Sequence, residues 1–134
     1  KFQERYNTNN DLCIHVRLTD ATRWNPGSTY YINAIRNVSF DKLYIATDEV
    51  NHNIIIKLRE LYPSSVLLKC DEITTIQFAS TCKHIILSHG SFSALIGYLS
   101  FFSNIYYPEY ELEKIWYGDM FSIDSDNWKK LNVS

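Results

Sequence analysis

The feature that most constrains the fold of this 134-residue chain is a regular alternation of short apolar stretches with longer amphipathic ones. The short stretches have the length and β-branched content of buried strands, whereas the longer ones carry apolar residues at the spacing of a helix face. Predicted strands cover residues 12–17, 42–46, 66–68, 84–87 and 104–108, and predicted helices cover residues 28–37, 51–62, 72–83 and 91–102. Strands joined through single helices form parallel sheets with helices on both faces. We therefore predict an α/β, Rossmann-like domain with a parallel sheet of about five strands.

Both ends of the chain are polar. The opening segment, KFQERYNTNND, indicates an entering linker over residues 1–11, which leaves residues 12–134 as the predicted domain. Near the other end, the sequence DSDNWKKLNV predicts a last short helix over residues 124–133.

Composition excludes several classes of protein. The net charge of −2 and the lack of a basic stripe argue against a nucleic-acid partner. No apolar run approaches the roughly 20 residues of a membrane span.

The three cysteines match neither a disulfide framework nor a zinc pattern, so we expect Cys13 and Cys82 to be buried free thiols and no metal to be bound. We expect a cytoplasmic protein, with the secretory-pathway lumen as the alternative because Asn37 and Asn132 lie in N-x-S sequons.

Polar side chains follow three of the predicted strands, at the point where each strand ends. Because ligands bind beyond the carboxyl ends of strands in open parallel sheets, these side chains predict one site. The residues are His15, Arg17 and Asp20 after the first strand, Asp48 and Glu49 after the second, and Ser88, Gly90, Ser91 and Ser93 after the fourth.

The chemistry of these residues suits a pyrophosphate. The planar guanidinium of Arg17 can bind phosphate through two parallel hydrogen bonds, and the free amides of a helix that starts near Ser91 favour an anion. Gly90 allows the backbone to approach a ligand closely. Structural roles are the alternative for single residues: Ser91 or Asp48 as a helix cap, His15 as a core histidine, and Arg17 paired with Asp20.

Three segments also resemble the fucosyltransferases. IHVRLTD resembles the H-x-R-x-x-D motif of α-1,2-, α-1,6- and protein O-fucosyltransferases, and LYIATDE resembles their second motif. STCKHIILSHGSFSALIGYLS is similar to the third motif of glycosyltransferase family 11, the α-1,2-fucosyltransferases. The resemblance implies the C-terminal, donor-binding half of an inverting, metal-independent GT-B enzyme that uses GDP-fucose without a cofactor.

The resemblance also implies roles for the predicted site residues. Arg17 and Asp20 become the catalytic pair: Arg17 holds the β-phosphate, and Asp20 orients its loop. Contacts to the nucleotide sugar are assigned to His15, Arg17, Asp48, Glu49, Ser88, Gly90, Ser91 and Ser93. The glycan acceptor would bind to a missing N-terminal half.

The resemblance to the family is incomplete at two places: the position that recognises the nucleotide base, and the third motif. The family's acidic residue that reads guanine aligns with Thr75, and Asp71 and Glu72 are nearby substitutes only if the loop shifts. The family's paired tryptophans are replaced by Ala94 and Leu95. The alternatives are a transferase domain for another nucleotide sugar, and a non-catalytic nucleotide-binding or interaction domain of the same fold.

Overall fold

The computed structural model describes residues 2–18, 27–88, 91–109 and 128–132. Within these ranges, strands and helices alternate along the chain as the sequence predicts. The elements are a 3-10 helix (Gln3–Arg5), β1 (Leu12–Val16), α1 (Gly27–Arg36), β2 (Leu43–Thr47), α2 (Asn53–Leu61), β3 (Val66–Leu67), α3 (Glu72–Ala79), β4 (His84–Ile86), α4 (Ser91–Tyr98), β5 (Asn104–Glu109) and β6 (Trp128–Asn132).

The six strands form one parallel sheet in the order β3-β2-β1-β4-β5-β6. This is the strand order of the doubly wound dinucleotide-binding fold. The order reverses between β1 and β4, where Leu12 pairs with His84 and Ile14 pairs with Ile86. The predicted α/β, Rossmann-like class is confirmed, with one strand more than the five expected.

Alternate residues of β1 belong to two separate cores, one on each face of the sheet. Leu12, Ile14 and Val16 pack with residues of α1 and α2, whereas Cys13 packs with residues of α3 and α4. All residues of β1 are buried because helices cover both faces of this central strand.

Side-chain caps start two of the helices. The Nδ1 atom of His52 accepts a hydrogen bond from the Ile54 amide at 3.1 Å, and α2 then ends before Pro63, as predicted. The Asp71 carboxylate accepts from the Thr74 amide at 2.7 Å and thereby starts α3. These caps place the beginnings of α2 and α3 near the carboxyl ends of the strands that precede them.

The predicted helix over residues 124–133 is wrong where the structure describes this segment. Residues Trp128–Asn132 form β6, which pairs with β5 from Ile105 to Glu109. A Cβ atom on Gly97 would lie 2.6 Å from the Trp128 ring, so α4 approaches this ring closely enough to require glycine. Pairing with β5 and partial burial of the Trp128 ring therefore override the local pattern of polar residues.

The segment before β1 lies against the end of α3. The Arg5 guanidinium donates to the Asp11 carboxylate and to the Thr81 hydroxyl, both at 2.9 Å, and lies over the Phe78 ring. Cys13 and Cys82 are buried free thiols, as predicted, while Cys70 is an exposed free thiol.

Candidate functional site

A pocket of about 410 Å³ opens at the carboxyl ends of β1, β2 and β3. Its volume is within the range typical of sites for small ligands. Its lining comes from β1 and β2, the segment after β3, the start of α3 and the start of α4: His15, Arg17, Ala46, Thr47, Asp48, Leu68, Cys70, Glu72, Thr75 and Phe92. Three predicted site residues therefore meet in one pocket: His15 and Arg17 from the first motif, and Asp48 from the second.

Two side chains of the β1 segment form one wall of the pocket. The His15 side chain is buried, and its ring centroid lies 5.3 Å from that of Phe92 in an edge-to-face arrangement. Arg17 is half-buried directly after the strand, and its backbone amide donates to the Ser88 hydroxyl at 3.2 Å. The strand and this bond fix the backbone from which the guanidinium extends.

Hydrogen bonds tie the ends of β1 and β2 together beneath the pocket. The Asp48 carboxylate accepts from the Leu18 amide at 2.8 Å, and the Thr47 hydroxyl donates to the Val16 carbonyl at 2.7 Å. The Thr47 oxygen also accepts from the Glu49 amide at 3.2 Å. Asp48 therefore holds the loop that carries Arg17 and also lines the pocket.

A buried layer of hydroxyl groups supports the end of β4. The Ser88 and Ser93 side chains are fully buried, and the Ser93 hydroxyl accepts from the Ser88 amide at 2.7 Å. The Ser88 hydroxyl also lies 2.6 Å from the Tyr31 hydroxyl, and burial raises the pKa of Tyr31, so this phenol stays protonated. The layer joins α1, β4 and α4 directly beneath the β1 loop.

The other predicted site residues have different outcomes. Ser88 and Ser93 bond inside the protein and do not line the pocket. Glu49 is also absent from the lining, and its carboxylate accepts from the Asn51 amide at 3.3 Å. Ser91 is the first residue of α4, next to Phe92 in the lining. The predictions for Asp20 and Gly90 lie outside the described residues.

The third strand brings pocket residues to which the sequence interpretation gave no firm role. Leu68 and Cys70 follow β3, and Glu72 and Thr75 lie in the first turns of α3. The Thr75 hydroxyl is already bonded, since it donates to the Asp71 carbonyl at 2.8 Å. The Asp71 carboxylate caps α3, which leaves Glu72 as the carboxylate of this segment in the pocket lining. The rule that ligands bind beyond every strand's carboxyl end could have identified this segment.

The described part of the chain lacks two kinds of feature. No group of three or more histidine, cysteine, aspartate or glutamate side chains within it is placed to hold a metal ion. None of its helices is long and apolar enough to cross a membrane.

Comparisons with known proteins support the fold. No protein-family model matches the chain, and no curated protein matches its sequence. Among solved structures, the chain is similar to NodZ, an α-1,6-fucosyltransferase soaked with GDP-fucose. What the two share is a fold. The TM-score is 0.54 at 15% sequence identity over 78% of this chain, which spans 40% of the length of that enzyme.

Proposed function

We propose that this chain is the donor-nucleotide-binding part of an inverting, metal-independent glycosyltransferase of family 11 whose donor is GDP-fucose. The observation that carries the proposal is the pocket in which Arg17, His15 and Asp48 meet beside the start of α4. The similarity of the fold to a fucosyltransferase soaked with GDP-fucose supports it, as do the three sequence motifs.

Arg17 and the start of α4 supply the electrostatics for a pyrophosphate. Both adjoin the switch point between β1 and β4, where the doubly wound fold binds phosphates. During transfer, the oxygen of an acceptor hydroxyl attacks the anomeric carbon and gives its proton to a base or to solvent water, while the bond from that carbon to the β-phosphate oxygen breaks. The electron pair leaves with the nucleoside diphosphate, and the Arg17 guanidinium stabilises the growing negative charge. Asp20 would orient the Arg17 loop.

The remainder of the pocket suits a guanine base. Leu68 and Phe92 offer apolar contact surface, and the Glu72 carboxylate is an acceptor in the same lining. Guanine presents two adjacent donors, its N1–H and its 2-amino group, which a carboxylate accepts through two hydrogen bonds. Adenine and uracil lack this pair of donors. We therefore expect GDP to bind more tightly than ADP, UDP or dTDP.

Isothermal titration calorimetry with these four nucleotides tests the proposal. Glu72→Gln should reduce the preference for GDP over ADP by tenfold or more, since the amide has one acceptor oxygen and places its NH2 group opposite the other guanine donor. Glu60→Gln is the matched control because Glu60 is exposed on α2, away from the pocket lining. Equal affinity for all four nucleotides would contradict the guanine assignment, and no binding of any of them would favour the non-catalytic interaction domain.

Two further results are expected from the same protein. A chelator should leave GDP affinity unchanged, because Arg17 and the α4 amides supply the positive charge that a cation would otherwise provide. The chain alone should bind GDP but transfer no fucose from GDP-fucose to a galactoside acceptor. We assign the positioning of the acceptor hydroxyl to a part of the enzyme outside this chain. Such positioning lowers the activation barrier by roughly 7–11 kcal/mol in favourable cases.

A further inference from the structure

A second pocket, of about 530 Å³, lies at the opposite edge of the sheet. It opens at the amino ends of β1, β2 and β3, beyond the last turn of α2. Its lining is Asp11, Phe40, Asp41, Lys42, Leu43, Leu61, Tyr62, Pro63, Ser64 and Ser65. None of these residues takes part in the nucleotide pocket, so a ligand here would be a separate one.

Two aromatic rings form a corner of this pocket. The centroids of Phe40 and Tyr62 are 6.2 Å apart, and the ring planes are inclined by 56°. Both side chains are half-buried, and Leu61 beside them is 45% exposed. Such a corner gives a ligand with an apolar face a rigid surface to stack on, and the Tyr62 hydroxyl adds a polar end to it.

The polar groups around the two rings have no net charge. Asp41 and Lys42 are exposed neighbours of opposite charge, and the Asp11 carboxylate is already bonded to Arg5 at 2.9 Å. With Arg5 counted as the partner of Asp11, the formal charges of Arg5, Asp11, Asp41 and Lys42 cancel, so net charge favours neither an anion nor a cation. A ligand that matches this lining therefore carries uncharged groups that form hydrogen bonds.

Ser65 gives a second, independent indication of a ligand. This residue is only 5% exposed, and its hydroxyl has no hydrogen-bond partner among the residues that the structure describes. A buried hydroxyl without a partner is costly in free energy, so its retention in the wall of a pocket suggests a partner from outside the chain.

We propose that this pocket binds a neutral saccharide. One C–H face of a pyranose ring stacks in the corner of Phe40 and Tyr62, and the ring hydroxyls bond to Asp41 and Ser65. The site lies at the far edge of the sheet from the nucleotide pocket, so it does not depend on the function proposed above.

Two-dimensional ¹H–¹⁵N NMR of the chain, titrated with lactose and cellobiose, tests this proposal. At least one of the two sugars should shift the amide signals of residues 40–43 and 61–65 in a saturable manner. Sorbitol, which has the hydroxyls but no ring face, should leave these signals unchanged. Tyr62→Leu should weaken the sugar's binding tenfold or more, whereas Tyr98→Leu, at a 40% exposed tyrosine outside the pocket, should not.

Ser65→Ala separates a binding role from a structural one. Removal of a hydroxyl without a partner should raise the melting temperature of the free protein and weaken sugar binding several-fold. A lower melting temperature would show that the hydroxyl stabilises the fold, and would contradict its proposed role. Failure of both sugars to shift residues 40–43 and 61–65 would overturn the proposal, as would equal shifts by sorbitol. Saturable binding of indole without either sugar would exclude a saccharide in favour of an aromatic ligand.

Discussion

The Leu18 amide donates a hydrogen bond to the Asp48 carboxylate at 2.8 Å and so joins the loop after β1 to the loop after β2. Leu18 directly follows Arg17, whose own amide is held by the Ser88 hydroxyl. The backbone that carries the guanidinium is thus fixed from both sides, by the second strand and by the fourth. A side chain that extends from a fixed backbone loses less conformational entropy when it binds a ligand.

Asp48→Ala should therefore weaken GDP binding, since it frees one side of the Arg17 loop. We expect a tenfold or greater loss of affinity by calorimetry, and a loss of about 1.5 kcal/mol in the free energy of unfolding by urea denaturation. Asp48→Asn keeps an oxygen that can accept from the Leu18 amide, so it should retain most of the affinity. Unchanged affinity in Asp48→Ala would show that this bond does not position Arg17.

The serine layer predicts an effect on stability. The Ser93 hydroxyl accepts from the buried Ser88 amide at 2.7 Å, so Ser93→Ala leaves that amide without this partner. We expect a loss of about 1–3 kcal/mol in the free energy of unfolding, measured by urea denaturation. Ser39→Ala, at an exposed serine, should change it by less than about 0.5 kcal/mol. If Ser93→Ala and Ser39→Ala have the same free energy of unfolding, the buried serine layer contributes little to stability.

The sequence predicts that the polar loops meet, but it does not predict which side chains face the ligand. His15, Arg17 and Asp48 line the pocket because the carboxyl ends of adjacent parallel strands lie at one edge. Ser93 has the same polar character in the sequence, yet it points to the Ser88 amide. A hydroxyl satisfies a protein amide as well as it satisfies a phosphate, so residue type alone does not separate the two roles.

Two other features depend on tertiary contacts. Glu72 is the carboxylate that the α3 segment contributes to the pocket because its neighbour Asp71 caps α3. Only the position of the helix start decides between these two acidic residues. The strand β6 exists because β5 offers an edge for pairing and Gly97 leaves space for the Trp128 ring. The local sequence pattern predicts neither the role of Glu72 nor the strand β6.

His84 gives the fold a dependence on pH. Its Nε2 lies 3.0 Å from the Asn10 oxygen and its Nδ1 lies 3.4 Å from the Asn104 amide nitrogen, an arrangement that the neutral tautomer protonated on Nε2 satisfies. Burial, followed by the charges of Lys83 and Lys129, lowers the pKa of His84 below the usual value of 6.5. The unfolded chain therefore binds a proton at a higher pH than the folded protein does.

This contribution to stability should be complete above pH about 6.5 and should decrease as the pH falls through the lowered pKa of the folded protein. We expect the melting temperature of the wild type to fall between pH 7.5 and 5, and that of His84→Gln to fall less. Lys83→Gln should raise the pKa of His84, measured by NMR titration of the imidazole. A pKa of 6.5 or more for His84 in the wild type would contradict this interpretation.

The affinity of Arg17→Ala for GDP, measured by calorimetry beside that of Arg59→Ala, tests most directly whether this pocket binds the nucleotide. Arg59 is an exposed arginine in the last turn of α2, outside the pocket lining, so its removal controls for the loss of one positive charge. A charge-assisted contact to phosphate is worth about 1.5–3 kcal/mol, roughly a tenfold to hundredfold change in affinity. We expect a loss of that size in Arg17→Ala at an unchanged melting temperature of the free protein, with wild-type affinity in Arg59→Ala. Binding of GDP by Arg17→Ala as tightly as by the wild type would contradict the assignment of this pocket to the nucleotide.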